Sequence, residues 1–133
     1  VLYFYPKDDT PGCTKEACDF TDGLPDFSAL NAKVVGVSVD DTGSHRKFIA
    51  KYNLGIDLLS DPEKTTHTAY GAWGLKKNYG KEYEGTIRST FVISPDGKVA
   101  AKWKNVQVRA KRKDVEVKHA DKVREKLVAL QAK

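Results

Sequence analysis

The chain has 133 residues, 40% of them hydrophobic and 31% charged, which suits one compact domain spanning residues 1–133 with a core of its own. Its apolar runs are far too short to span a bilayer, and no charged start with an apolar stretch and a cleavage site marks a secretion signal. The net charge of +5 is uneven: residues 1–97 carry 11 Lys or Arg against 14 Asp or Glu, and residues 98–133 carry 12 against 4.

Val1-Leu2-Tyr3-Phe4-Tyr5 is an almost continuous apolar run, the pattern of a strand buried on both faces. Residues 13–31 read as helix, interrupted at Gly23-Leu24-Pro25 and so divided in two. Residues 33–39 form a second buried strand. Residues 44–52 follow as a helix, with Phe48, Ile49 and Tyr52 at helical spacing. Residues 57–60 give a short third strand. Asp61-Pro62-Glu63 has the form of a helix start, with Asp as N-cap and Pro at the first helical position, and that helix runs to about Tyr70. Residues 71–85, rich in Gly and Tyr, read as irregular.

Residues 86–93 and 98–104 flank Ser94-Pro95-Asp96-Gly97 as a hairpin. Arg109-Ala110-Lys111-Arg112-Lys113 lies between Val106-Gln107-Val108 and Val115-Glu116-Val117, which is either a second hairpin with a basic tip or a loop. Residues 118–132 close the chain as an amphipathic helix, with Val123, Leu127 and Leu130 on one side. Early βαβ units imply parallel pairing and the late hairpin antiparallel pairing. The expected architecture is α/β, a mixed central sheet flanked by helices on both faces.

Both cysteines fall in the run Pro6-Lys7-Asp8-Asp9-Thr10-Pro11-Gly12-Cys13-Thr14-Lys15-Glu16-Ala17-Cys18, between the first strand and the first helix. The unpaired amides of a helix N-terminus favour an anion, and the thiolate is the nucleophilic form of cysteine. Chemistry at sulfur is therefore the leading expectation. Two cysteines are too few to staple a secreted fold. His45, His67 and His119 are scattered, none at a metal-ligand spacing from Cys13 or Cys18, so neither a metal nor another cofactor is expected. The chain carries no glycine-rich phosphate loop.

At these residues the chain resembles a peroxiredoxin, and most closely the peroxiredoxin Q subfamily, also called bacterioferritin comigratory proteins. Pro6, Thr10 and Cys13 match the family signature, and Cys18 matches the subfamily's second cysteine. Val37-Ser38-Val39-Asp40, Ser44-His45-Arg46-Lys47-Phe48, Leu59-Ser60-Asp61-Pro62 and Arg88-Ser89-Thr90-Phe91-Val92-Ile93 fit at comparable spacing, and Lys118-His119-Ala120 resumes the match. The resemblance implies a thioredoxin-like fold and a cytoplasmic, monomeric thiol peroxidase that reduces hydrogen peroxide and organic hydroperoxides. It also implies a further N-terminal segment of a few dozen residues ahead of this sequence. The stretch 106–117 is longer than the family's usual link to its last helix.

The same resemblance implies the roles. Cys13 is the peroxidatic cysteine, oxidised to a sulfenic acid. The amides of Gly12 and Cys13, the Thr10 hydroxyl and the Arg88 guanidinium stabilise the developing charge. Pro6 shields the sulfur, and Glu16 orients Arg88. Cys18 resolves the sulfenic acid as a disulfide, which thioredoxin or a glutaredoxin reduces. On one helix, five residues rise about 7.5 Å, placing the two Cα atoms roughly 8.5 Å apart. That is beyond the roughly 7 Å reach of a disulfide, so the helix has to unwind. In a competing reading Cys18 is a bystander and an external thiol resolves Cys13. Tyr79, Tyr83, Trp73 and Trp103 are expected in core and rim packing.

Two rivals remain. A thiol–disulfide oxidoreductase on the same fold usually carries Cys-x-x-Cys, whereas the spacing here is Cys-x-x-x-x-Cys. A module binding nucleic acid or an acidic partner through residues 98–133 is disfavoured by Asp121 and Glu125, which interleave with the basic residues of the last helix.

Overall fold

The computed structural model describes residues 1–78, 80–112 and 115–131. In chain order, β1 (Leu2–Phe4) leads to α1 (Pro11–Asp22) and α2 (Leu24–Ala29), then β2 (Val35–Ser38), α3 (Thr42–Tyr52), β3 (Asp57–Ser60) and the short α4 (Thr65–Ala69). A hairpin of β4 (Trp73–Asn78) and β5 (Lys81–Thr86) precedes β6 (Ser89–Ile93) and β7 (Val99–Lys104). A second hairpin, β8 (Arg109–Arg112) and β9 (Val115–Lys118), runs straight into α5 (His119–Gln131).

The main sheet has the order β3-β2-β1-β6-β7. β1 pairs parallel with β2 and β2 with β3, while β6 pairs antiparallel with β1 and β7. This is the mixed α/β sheet that the sequence pattern implies. The central strand divides the core by alternation. Tyr3 and Tyr5 pack with Phe20, Phe27, Phe48 and Val123, so α1, α2, α3 and α5 cover one face. Phe4 packs with Val37, Ala72 and Phe91 on the other, where His67 of α4 meets its ring edge-on at 4.9 Å. Gly36 lets the Tyr3 ring lie against β2: a Cβ there would sit 2.8 Å from Tyr3 Cζ. Gly36→Ala would overpack this layer, typically at about 1–3 kcal/mol.

Local chemistry sets the helix ends. Pro11 opens α1 after an extended Thr10 (φ −95°, ψ 155°), and Gly23 separates α1 from α2 where the sequence predicts the break. Asp41 caps α3 by accepting the Ser44 amide at 2.7 Å, and Asn53 closes it in the left-handed region (φ 51°). Among the described residues, no helix is long and apolar enough to cross a membrane.

Three local expectations need revision, and one open alternative is decided. α4 starts at Thr65, not at Asp61, because the Asp61 carboxylate accepts both the His67 amide and the His67 Nδ1–H at 2.8 Å. Residues 61–64 then form a turn ending at Lys64 with φ 61°. Residues 71–85 are not irregular, since they hold the β4–β5 hairpin, paired from Trp73↔Thr86 to Asn78↔Lys81 with Gly80 at φ 77° in the turn. Most β5 side chains are exposed, so the period-2 signal of a buried face is absent from the sequence. Thr86 accordingly belongs to β5, and β6 begins at Ser89. Of the two readings of 106–117, the hairpin is the one observed, Arg109 pairing with Lys118. Its tip residue Lys113, like Tyr79 and Ala132, lies outside the described residues.

Candidate functional site

The loop from β1 to α1 is fastened to α3 at two successive carboxylates. Asp8 is buried, its Oδ2 2.7 Å from His45 Nδ1 and accepting the Ser44 hydroxyl at 2.7 Å, while Oδ1 accepts the Tyr5 hydroxyl at 2.5 Å. Asp9, held at φ 58°, accepts from Lys51 Nζ at 2.8 Å and from the Tyr52 hydroxyl at 2.6 Å. Pro6, half-buried, begins this loop. The result is a fixed approach to the first turn of α1.

Cys13 is the third residue of α1 and is buried, with 2% of its surface exposed. It lies within the first turn of the helix, whose amides have no partner inside the helix. Arg88, in the short link between β5 and β6, donates from Nη2 to Cys13 Sγ at 3.2 Å and from Nη1 to Glu16 Oε1 at 2.6 Å. One guanidinium thus bridges a sulfur and a carboxylate one turn apart on α1. Gly12 lies against this guanidinium: a Cβ there would touch Nη2 at 3.4 Å, an ordinary contact.

Glu16 is buried, and its second oxygen, Oε2, has no hydrogen-bond partner. Burial pushes its carboxyl up to about 7, against the pull of Arg88. Thr10 stands at the N-cap position of α1, but its hydroxyl donates backward to the Lys7 carbonyl at 2.9 Å and makes no capping bond. Of the predicted residues, Cys13, Gly12, Glu16 and Arg88 converge directly. Thr10 is held on the adjoining loop with its donor hydrogen engaged.

Cys18 lies on the same unbroken helix, half-buried, and both cysteines are free thiols. Burial pushes the Cys18 thiol up, helped by Asp22 and Asp19 and opposed by Arg109. In this conformation the two sulfurs cannot join, as the helical geometry requires.

Sequence reasoning missed Lys76. It pairs with Tyr83 across the β4–β5 hairpin, its ammonium 6.0 Å from the centre of that ring. Burial lowers its basicity first, then Arg88, while Cys13 acts in the opposite sense, so Lys76 feels the charge of both. Reading 71–85 as irregular removed the one signal available, a lysine in register beside an aromatic on a hairpin. Of the aromatic residues predicted to pack, Trp73 meets His67 edge-on at 5.9 Å, Trp103 meets His119 at 5.5 Å, and Tyr83 is 44% exposed.

Comparison with known proteins agrees with this geometry. The family model described as AhpC/TSA family matches residues 1–102. Peroxiredoxin Bcp of Bacillus subtilis is 51% identical over 109 residues, covering 82% of this chain and 69% of that protein. A structure of the Xanthomonas campestris bacterioferritin comigratory protein, which is credited with alkyl peroxide reduction activity, superposes with a TM-score of 0.86 at 41% identity, over 97% of this chain and 77% of that one. Xylella fastidiosa PrxQ, solved as a cysteine-to-serine variant, superposes with a TM-score of 0.87 at 38% identity, over 98% of this chain and 76% of that one. A buried thiol at a helix start, an arginine donating to its sulfur and relatives this similar leave one assignment: the chain belongs to the AhpC/TSA family as a peroxiredoxin of the Bcp, or peroxiredoxin Q, kind.

Proposed function

We propose that this peroxiredoxin works as a two-cysteine peroxidase, with Cys13 as the peroxidatic and Cys18 as the resolving residue. The observation that carries the reading is the contact of Arg88 Nη2 with Cys13 Sγ at 3.2 Å in the first turn of α1. The Cys13 thiolate attacks one peroxide oxygen and the O–O bond breaks. The product is a sulfenic acid at Cys13, and the leaving oxygen departs as water or an alcohol after taking up a proton. Arg88 and the amides of Gly12 and Cys13 face the charge that develops on the separating oxygens. Glu16 fixes the orientation of Arg88, Thr10 and Pro6 bound the approach to the sulfur, and Lys76 adds a second positive charge nearby.

Resolution follows when α1 unwinds. The Cys18 thiol displaces the hydroxyl of the Cys13 sulfenic acid, forming a disulfide and releasing water. A dithiol partner then reduces that disulfide through a mixed disulfide. We assign thioredoxin as that partner, with a glutaredoxin as the alternative, and hydrogen peroxide and organic hydroperoxides as substrates.

Peroxide consumption coupled to thioredoxin and its reductase tests the assignment. Cys13→Ser is expected to abolish turnover, and Cys18→Ser to stop after one equivalent of peroxide. Unimpaired turnover by Cys18→Ser would transfer resolution to an external thiol. Turnover by Cys13→Ser would overturn the whole reading.

A further inference from the structure

The β8–β9 hairpin grips α1 at the residue next to Cys18. Arg109, the first residue of β8, donates from Nη2 to Asp19 Oδ1 at 2.9 Å and from Nε to Oδ2 at 3.2 Å. Lys118, opposite Arg109 on β9, brings its ammonium to 3.8 Å from the same carboxylate. The Asp19 side chain is only 2% exposed, so α1 carries a buried anion whose compensation comes from another element. The hairpin is anchored in turn. Arg109 Nη1 donates to Glu116 at 2.9 Å, and the His119 amide at the head of α5 donates to the Val108 carbonyl at 2.8 Å. Arg109, with Lys118 beside it, therefore ties α1 to the hairpin that leads into α5, in addition to the direct packing of Phe20 on His119.

Opening this pair gives up two charge-assisted hydrogen bonds, partly offset because Arg109 is 33% exposed and the freed carboxylate regains water. Cys18 immediately precedes Asp19, so an opening of α1 that frees Cys18 strains or breaks this fork. We propose that Arg109 is a positioning residue for the resolving step: its fork on Asp19 opposes the unwinding of α1 and so sets how quickly Cys18 reaches the Cys13 sulfenic acid. The proposal rests on the two-cysteine reading. Its consequence is a longer-lived sulfenic acid, open to a second peroxide that takes the sulfur to a sulfinic acid and releases water or an alcohol.

Arg109 also faces Cys18 as a charge, together with Asp19 and Asp22 on α1. Losing it would leave less thiolate at a given pH while loosening the helix, two effects of opposite sign on resolution. They separate with pH, because only the helix opening still limits the rate once Cys18 is fully ionised.

The test is stopped-flow measurement of Cys13–Cys18 disulfide formation after one equivalent of hydrogen peroxide, from pH 7 to 11, because the Cys18 thiol is pushed up and further so without Arg109. Arg109→Ala is expected to raise the alkaline plateau about three- to tenfold, with Arg109→Lys between it and wild type. The bimolecular reaction of Cys13 with peroxide should stay within about twofold. An unchanged or lower plateau overturns the proposal, and a shift of the pH midpoint alone makes Arg109 no more than an electrostatic neighbour of Cys18. Should Arg109→Ala not fold, Asp19→Asn and Arg109→Lys carry the same measurement. Amide exchange in the reduced protein is a separate readout. The amides of residues 14–19 should exchange at least about threefold faster in Arg109→Lys, and equal rates overturn the clamp. If peptide mapping finds no Cys13–Cys18 disulfide in oxidised wild type, the two-cysteine reading fails, and the exchange rates still decide the clamp.

Discussion

Arg88 Nη2 donates to Cys13 Sγ across 3.2 Å, although 75 residues separate the two in the chain. The contact exists because β6 lies beside β1 in the sheet, while the loop after β1 delivers Cys13 and the link before β6 delivers Arg88. Two ends of neighbouring antiparallel strands thus meet at one edge of the core. A charged fork placed on the sulfur in a buried site is worth far more than the same pair in water.

Arg88→Ala is expected to lower kcat/KM for peroxide about 100-fold, the usual cost of losing one donor aimed at a developing oxyanion. Arg88→Lys should recover only part of this, because one ammonium cannot serve Cys13 Sγ and Glu16 Oε1 with the geometry of the fork. Stopped-flow oxidation of Cys13 checks both variants, and a wild-type rate in Arg88→Ala would remove Arg88 from the site.

Glu16 and His119 give opposite dependences of stability on pH. Burial holds the Glu16 carboxyl up at about 7, so between 4.5 and 7 the folded state keeps a proton that the unfolded state has lost. Its contribution is full below 4.5 and declines as pH rises through 7. Burial, with Lys122 and Arg88, holds His119 down at about 4. The unfolded state therefore binds a proton there between 6.5 and 4 that the folded state refuses, and stability declines as pH falls through that window. Each effect is of order 3 kcal/mol at most. Denaturant titrations across pH 4–8 should show Glu16→Gln losing the first slope and His119→Asn the second. If Glu16 ionisation reaches Cys13 through Arg88, the peroxide rate of wild type is expected to change near pH 7 and that of Glu16→Gln is not.

Lys76→Met is expected to slow peroxide reduction about fivefold at low ionic strength, with the difference shrinking as salt is added. Lys76 acts on Cys13 and Arg88 through charge alone, so the melting temperature should barely move. A rate loss independent of salt would point instead to packing against Tyr83.

Asp61→Ala is expected to destabilise the fold by about 3 kcal/mol, or a fall of about 10 °C in Tm. His67 is fully buried, donating from its amide and Nδ1 to Asp61 and accepting the Thr86 hydroxyl at Nε2 across 3.0 Å. Thr86 stands two residues before Arg88, so this chain also fixes the strand that delivers the guanidinium. Thermal melts and Cys13 oxidation rates should decline together, and a rate that holds while Tm falls would uncouple them.

The order of elements was legible because local rules sufficed for it. The apolar run in β1, the break at Gly23-Leu24-Pro25, the Ser94-Pro95-Asp96-Gly97 turn and the Val123, Leu127 and Leu130 side of α5 each follow from neighbours a few residues away. The Cys13 setting was legible for the same reason, since Pro11 and the residues around it already specify a helix start. The β4–β5 hairpin was not, because its mostly exposed strands lack the alternation that a buried face imposes.

By itself, the sequence determined the α/β order of elements outside the β4–β5 and β8–β9 hairpins, the thiol at the head of a helix and the five-residue spacing that makes a disulfide demand unwinding. Only the tertiary structure decided that Arg88 touches Cys13, that Lys76 stands near both and that Arg109 holds the carboxylate beside Cys18. Backbone conformation and capping are settled by neighbours within a turn or two. Charge contacts across 75 and 90 residues arise only when strand order and hairpin placement bring distant side chains into one low-dielectric space.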